Sequence, residues 1–559
     1  MTLKLHKRTL LGLILAIVLV GLLVAVVGCG GTSTSTTAST SGPATTTVAQ
    51  GGTLNVYINE PVAIDPVDLE ESEGTQVGQA LFDSLATFDY KTMKVGPAAA
   101  ASWDVNADAT VWTFHLVKGA TFHDGTPVTA NDFVYAWNRL CDPANKSNVS
   151  YHLAPVQGFD DVQAGKATTL TGLKAIDDTT LQVTLSYSFA DFEFVVAHPT
   201  LAPVPKADVE KDPKAFAAAP VGNGPFMMVG TWQHDQGIQV KAYPGYYGTK
   251  PHIDGVDFKI FKDPETAFLE FKAGNLDWTQ IPSGQVKATE AQYGISDDGL
   301  TGNPGKQTLL GPELSIYYLV LNTQDSLMKN PDLRKAISLA INRQAIADTV
   351  YEGVRAPADS IIPPGIVGYE AGAFPYSKYD VAAAKDELVK AGYPNGTGLP
   401  EIVLSCNSGG GHEDVMALVQ ADLAKVGINV KTDFTEWAAY LKKLDDGTFQ
   451  IGRLGWIADY PIIDNFIYPI FYSKSADNKS KYNNPAVDAA IVAARKITDS
   501  GARIAAYQAI VKTVGQDAPV VPIVAYKHHH VTSDRVLNLV YSPNGLLDFT
   551  DCSIKAAAK

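Results

Sequence analysis

Arg453-Leu454-Gly455-Trp456-Ile457-Ala458-Asp459-Tyr460 places a cation, two aromatic rings and a carboxylate within eight residues. An arginine forks onto a carboxylate and an aspartate takes an ammonium, so the two charges suit the two ends of a zwitterion such as a free peptide. They can do so only if they do not neutralise each other. Fully extended, the chain from Arg453 to Asp459 spans about 20 Å, and Gly455 and Pro461 predict a bend that brings the groups closer. Residues 448–452, just before, read as a strand that leads into this mouth. The same residues equally fit two solvated surface charges and a core tryptophan.

Other constellations offer less chemistry. His412-Glu413 is not a zinc-protease pair, because Met416 stands where the second histidine must be. Gly305-Lys306 fails as a phosphate loop, since Leu300 and Gln307 occupy the required glycine and Ser/Thr positions. His115 and His123 fall in a strand and a turn with no third ligand at metal spacing. His528-His529-His530 alternate faces on a strand, cannot all chelate one ion, and read as surface residues able to tune a pH response. There is no GxSxG elbow, HExxH pair or Cys/His dyad. The expectation is therefore a protein that is not an enzyme, with no metal and no cofactor.

The chain has 559 residues, enough for two or three lobes. Its net charge is −15, and −18 without the leader bases Lys4, Lys7 and Arg8, which argues against nucleic acid or anionic lipid as a partner. After those bases an apolar run covers residues 10–27 and ends at Val26-Val27-Gly28-Cys29. This resembles a bacterial lipoprotein signal, in which the leader is removed and Cys29 carries lipid; an uncleaved anchor is the alternative. Both put the body outside the cytoplasm. Residues 30–52 are mostly Ser, Thr, Gly and Ala with one Pro and no charge, a flexible tether. Apart from Cys29, the three cysteines Cys141, Cys406 and Cys552 allow at most one disulfide.

Local signals then outline the elements. Residues 53–58 and 111–116 alternate as strands, and Thr129 with Asp132 makes a capping box for a helix whose apolar face is Phe133, Trp137 and Leu140. Residues 316–321 and 520–526 read as buried strands. Helices are expected from 330, over 380–391 ended by Gly392, over 415–426 ended by Gly427, and over 487–496 and 502–514. Glycines in Val221-Gly222-Asn223-Gly224-Pro225-Phe226 suggest a turn with positive φ. Helix and strand alternate in the second half as in an α/β lobe with much parallel pairing.

The pattern from Trp103 to Trp137 resembles the signature of the family-5 solute-binding proteins of ABC importers. The Gly-Pro turn at 224–225, Pro244-Gly245-Tyr246-Tyr247, Leu333-Arg334-Lys335-Ala336-Ile337 and Ala340-Ile341-Asn342-Arg343 resemble the same family. The 453–460 run looks like the ligand segment of its oligopeptide-binding members. That resemblance implies an α/β, two-lobed periplasmic-binding-protein fold of class II (Venus-flytrap) type with an extra domain on the first lobe. Lobe I would comprise 53–94, 196–309 and 529–559, the extra domain 95–195 and lobe II 310–528, after a signal peptide over 1–29 and the tether over 30–52. It also implies that Asp459 holds a peptide's ammonium, that Arg453 takes a carboxylate, and that Trp456, Trp437, Tyr460 and Ile457 line the pocket. Ile457 stands where some relatives have a cysteine. The implied role is capture of short peptides by an extracytoplasmic, monomeric lipoprotein, anchored in the membrane through Cys29, for delivery to ABC permease subunits. Similar proteins bind nickel complexes, haem, sugars or opines, and presentation of ligand to a membrane sensor is a further alternative.

Overall fold

The computed structural model describes residues 51–555; the expected leader, Cys29 and the tether as far as residue 50 lie outside the described residues. Two large sheets organise two lobes. The first has seven strands in the order Thr308–Leu309, His530–Thr532, Trp278–Gln280, Thr53–Ile58, Gly255–Ile260, Gly237–Ala242 and Phe226–Met228. Thr53–Ile58 is central and parallel to both neighbours, and its Leu54 and Val56 are fully buried. The second has six strands in the order Ala356–Pro357, Val520–Lys527, Pro312–Leu321, Ile451–Ile457, Ile402–Asn407 and Val430–Thr435. Its spine, Pro312–Leu321, is antiparallel to both neighbours, and parallel pairing begins beyond it, at Ile402–Asn407. The second sheet is therefore mixed rather than largely parallel.

A separate antiparallel sheet of four strands, Ala100–Val105, Val111–Leu116, Thr180–Thr184 and Leu173–Asp177, carries the aromatic pattern noted in the sequence. Against it packs helix Ala130–Cys141, started by the Thr129/Asp132 capping box. Trp137 is fully buried there, its Nε1 donating to Leu201 O at 2.8 Å.

The chain passes from the first sheet to the second between Leu309 and Pro312 and returns between Lys527 and His530, and Pro312 pairs with Lys527, so the two crossings run side by side. Gly311 sits at the crossing because a Cβ there would lie 2.5 Å from His528 Cε1.

Several expectations change on folding. His528, His529 and His530 are all buried, not surface: His530 starts an interior strand held between Trp278–Gln280 and Thr308–Leu309, and His528 and His529 lie in the link between strands, His528 accepting from Gly311 N–H. Gly222 and Gly224 have ordinary φ; they are needed because Leu81 crosses so close that a Cβ on Gly222 would sit 1.9 Å from its carbonyl oxygen. His123 braces that turn, its Nδ1 accepting from Gly222 N–H at 3.1 Å and its Nε2 donating to Gly224 O at 3.1 Å. Burial pushes its pKa down to about 4. Cys141, Cys406 and Cys552 are buried free thiols. The expected strand at 448–452 lies later, at Ile451–Ile457, so the motif itself is the strand.

Candidate ligand-binding site

A cavity of about 510 Å³ opens between the lobes, a size typical of small-ligand sites. Strand Ile451–Ile457 delivers one wall. Gly455 pairs with Tyr317 and Arg453 with Leu319, so the chain stays extended through Ile457 and does not bend at Gly455. Alternation along the strand puts Arg453 and Trp456 on opposite faces, and both line the cavity. Gly455 has a spatial reason: the Tyr526 hydroxyl lies 3.2 Å from where its Cβ would be.

Arg453 is buried, with its guanidinium 4.5 Å from the Tyr317 ring centre. Nη2 donates to Tyr526 Oη at 2.8 Å and Nη1 to Asn407 Oδ1 at 3.4 Å, while Nε has no partner. Every partner is neutral. Stacking on an aromatic face holds the cation without cancelling it.

Asp459 follows the strand end. Its Oδ2 accepts from Tyr151 Oη at 2.5 Å and from Asn465 Nδ2 at 2.8 Å. Asn465 Oδ1 in turn accepts from the Asp459 backbone N–H at 2.9 Å and from Trp456 Nε1 at 3.0 Å, so one amide orients both the acid and the indole. Helix Asp464–Phe471 supplies Asn465, and its first residue, Asp464, is gripped by buried Arg495 with two bonds of 2.9 Å. The other oxygen, Oδ1, accepts no hydrogen bond from the described residues. His198 Nε2 stands 3.9 Å from it, and His152 Nε2 stands 3.8 Å from Oδ2. Burial first, and the neighbouring imidazole next, push His198 down to about 3; burial likewise lowers His152, so both rings are neutral. Neither ring pairs with Asp459 as a cation, and Oδ1 is left free of hydrogen bonds from the described residues.

Trp437 and Ile457 are half-buried cavity walls, Trp437 beginning helix Trp437–Asp445 and Ile457 ending the strand. Tyr460 departs from the expectation: it is fully buried behind the wall, donates to Asp464 Oδ2 at 3.2 Å and meets His152 edge-on. Alternation and the turn after Ala458 send it into the core.

Residues distant in sequence complete the site. Lys479, buried in the second lobe, reaches Glu70 of the first at 2.9 Å, together with Asp445 at 2.6 Å and Asp477 at 3.1 Å, an ion cluster across the lobe boundary. Burial holds the Asp477 carboxyl up to about 7. Arg355, His412 and His529 also face the cavity. No local pattern marks Glu70, Lys479 or Arg355. Among the described residues no His/Cys/Asp/Glu cluster fits a metal ion, and no helix is long and apolar enough to cross a membrane.

Residues 94–478 match the family described as bacterial extracellular solute-binding proteins, family 5 Middle. The chain belongs to this family. Among relatives, this solute-binding protein is 32% identical over 502 residues to the periplasmic oligopeptide-binding protein OppA of Escherichia coli strain K12, covering 87% of this chain and 89% of that one. It is 27% identical over 532 residues to heme-binding protein A of Haemophilus influenzae, covering 91% and 94%. The Escherichia coli murein tripeptide binding protein MppA superposes with a TM-score of 0.83 at 27% identity, covering 91% of this chain and 100% of that one. MppA in its unliganded open form gives 0.63, at 27% identity and 91% and 98% coverage. The lower score against the open form accords with two lobes that here enclose one cavity.

Proposed function

We propose that this solute-binding protein is an extracytoplasmic lipoprotein, anchored through Cys29, that captures short peptides between its lobes and delivers them to the permease of an ABC importer. The observation that carries the reading is a pair of opposite charges in one cavity, neither cancelled by the protein: Asp459 with Oδ1 open, and Arg453 with neutral partners alone. A zwitterion supplies both missing charges. Closing the lobes over them without ligand leaves two buried charges unpaired, which is costly, so ligand favours the closed form by differential affinity. In this reading lobe I is 53–94, 196–309 and 529–559, the extra domain 95–195 and lobe II 310–528, and Asp459, Arg453, Trp456, Trp437 and Ile457 contact the ligand. The haem-binding relative supports a competing reading with a non-peptide ligand.

Mass spectrometry of small molecules released by denaturing the purified protein tests the assignment. A ladder of short peptides is expected, and a single non-peptide species overturns the ligand. In calorimetric titration with peptides, Asp459→Ala is expected to weaken binding by about 2 kcal/mol or more with the fold intact. Unchanged affinity would remove Asp459 from the site.

A further inference from the structure

Eight arginines lie among the described residues, and six of them are matched. Arg139, Arg495, Arg503 and Arg535 pair with carboxylates, and Arg334 and Arg343 donate to several backbone carbonyls. The remaining two, Arg355 and Arg453, both face the cleft. Arg355 is 7% exposed, and its guanidinium lies 4.1 Å from the ring centres of Tyr351 and of Tyr526. Its Nε, like that of Arg453, is buried without a partner. Tyr526 joins the two cations: Arg355 covers its ring, and Arg453 binds its hydroxyl.

Among the described residues no carboxylate forms an ion pair with either guanidinium. Glu313, also buried at the cavity and close enough to feel the Arg355 charge, has its pKa raised by burial, the larger effect, and accepts from Ser315 Oγ at 2.5 Å. His412 and His529 are neutral, since burial first and the arginine charges after it lower their pKa, that of His529 to about 3. A buried cation without an anion costs several kcal/mol, and two cations sharing one tyrosine add their repulsion. A single terminal carboxylate that forks onto Arg453 leaves Arg355 unmatched.

We propose that Arg355 and Arg453 form a subsite for two anionic groups, so that this protein selects peptides carrying an acidic side chain beside their terminal carboxylate. The claim rests on the peptide reading given above and adds a preference to it. Arg453 takes the terminus and Arg355 the side chain, while Asp459 takes the ammonium common to all peptides.

Calorimetric titration of the full chain with Ala-Ala-Glu and Ala-Ala-Gln, equal in size and different by one charge, tests it. The glutamate peptide is expected to bind about tenfold more tightly. In Arg355→Met the two peptides are expected to bind alike, and Arg355→Lys retains part of the preference. Equal binding by the unmodified protein overturns the subsite without needing any variant, and so does a preference that survives in Arg355→Met. If neither peptide binds, the molecule that co-purifies decides both questions: a non-peptide species overturns the peptide reading separately. Two acidic groups on that molecule support the subsite, and one or none overturns it.

Discussion

The two ends of the cleft keep an uncancelled charge by different means. At the acid end, Asp459 is held by hydrogen bonds from Tyr151 and Asn465 to one oxygen, and neutral imidazoles stand behind it. At the cation end, Arg453 and Arg355 lie on aromatic faces with few hydrogen bonds. A carboxylate has two small oxygens that can be divided between scaffold and ligand, whereas a planar guanidinium can be supported through its face while its edge stays open. The acid end is thus rigid and hydrogen-bonded, and the cation end is stacked and under-satisfied.

Replacing Arg453 by Met should show the largest difference. Peptide affinity is expected to fall by about 3 kcal/mol, while the ligand-free protein melts at the same or a higher temperature because an unmatched buried cation is gone. A large drop in Tm together with lost affinity would contradict the under-satisfied cation end. Asn465→Ala, at the other end, should cost about 2 kcal/mol in affinity and also lower Tm, since Asp459 and Trp456 lose their shared partner. Calorimetry and thermal melts together separate the two behaviours.

The neutral imidazoles give a pH signature specific to the acid end. His198 titrates near 6.5 when unfolded and near 3 when folded, so its contribution to stability is present above pH 6.5 and is lost as pH falls toward 3. Between pH 6.5 and 5.5 the unmodified protein should therefore lose about 1 kcal/mol relative to His198→Gln. Parallel stability curves for the two proteins would show that the ring is not neutral in the fold. The smallest change is Tyr526→Phe, which removes the hydroxyl that accepts from Arg453 and keeps the ring beneath Arg355. A loss of about 1 kcal/mol in peptide affinity is expected, and a much larger one would mean the hydroxyl, not the ring, organises the cation end.

How far the chain could be read in advance depended on the range of the contacts. The Thr129/Asp132 box, the alternation of Val111–Leu116 and the buried runs in Pro312–Leu321 and Val520–Lys527 are short-range periodicities, and each produced the element it predicts. Arg453, Trp456 and Asp459 were legible as a chemical set because they lie on one strand and its exit. The bend at Gly455 was misread, because that glycine answers to Tyr526, which is 71 positions further along the chain. The histidine triplet was misread as surface because burial of a strand, and of the link that leads into it, depends on what packs alongside, here Trp278–Gln280, Thr308–Leu309 and Gly311.

The amino-acid sequence by itself determined the element types, the acidic balance and the local order of the cation and the carboxylate, since all of these follow from composition and from spacings of a few residues. The tertiary structure decided which charges stay open. Tyr151 reaches Asp459 across 308 positions, and Lys479 reaches Glu70 across 409. Arg355 comes to Tyr526 through the pairing of Ala356–Pro357 with Val520–Lys527. Whether a buried charge is cancelled is set by every group packed around it, and those groups become neighbours only once the sheets have formed.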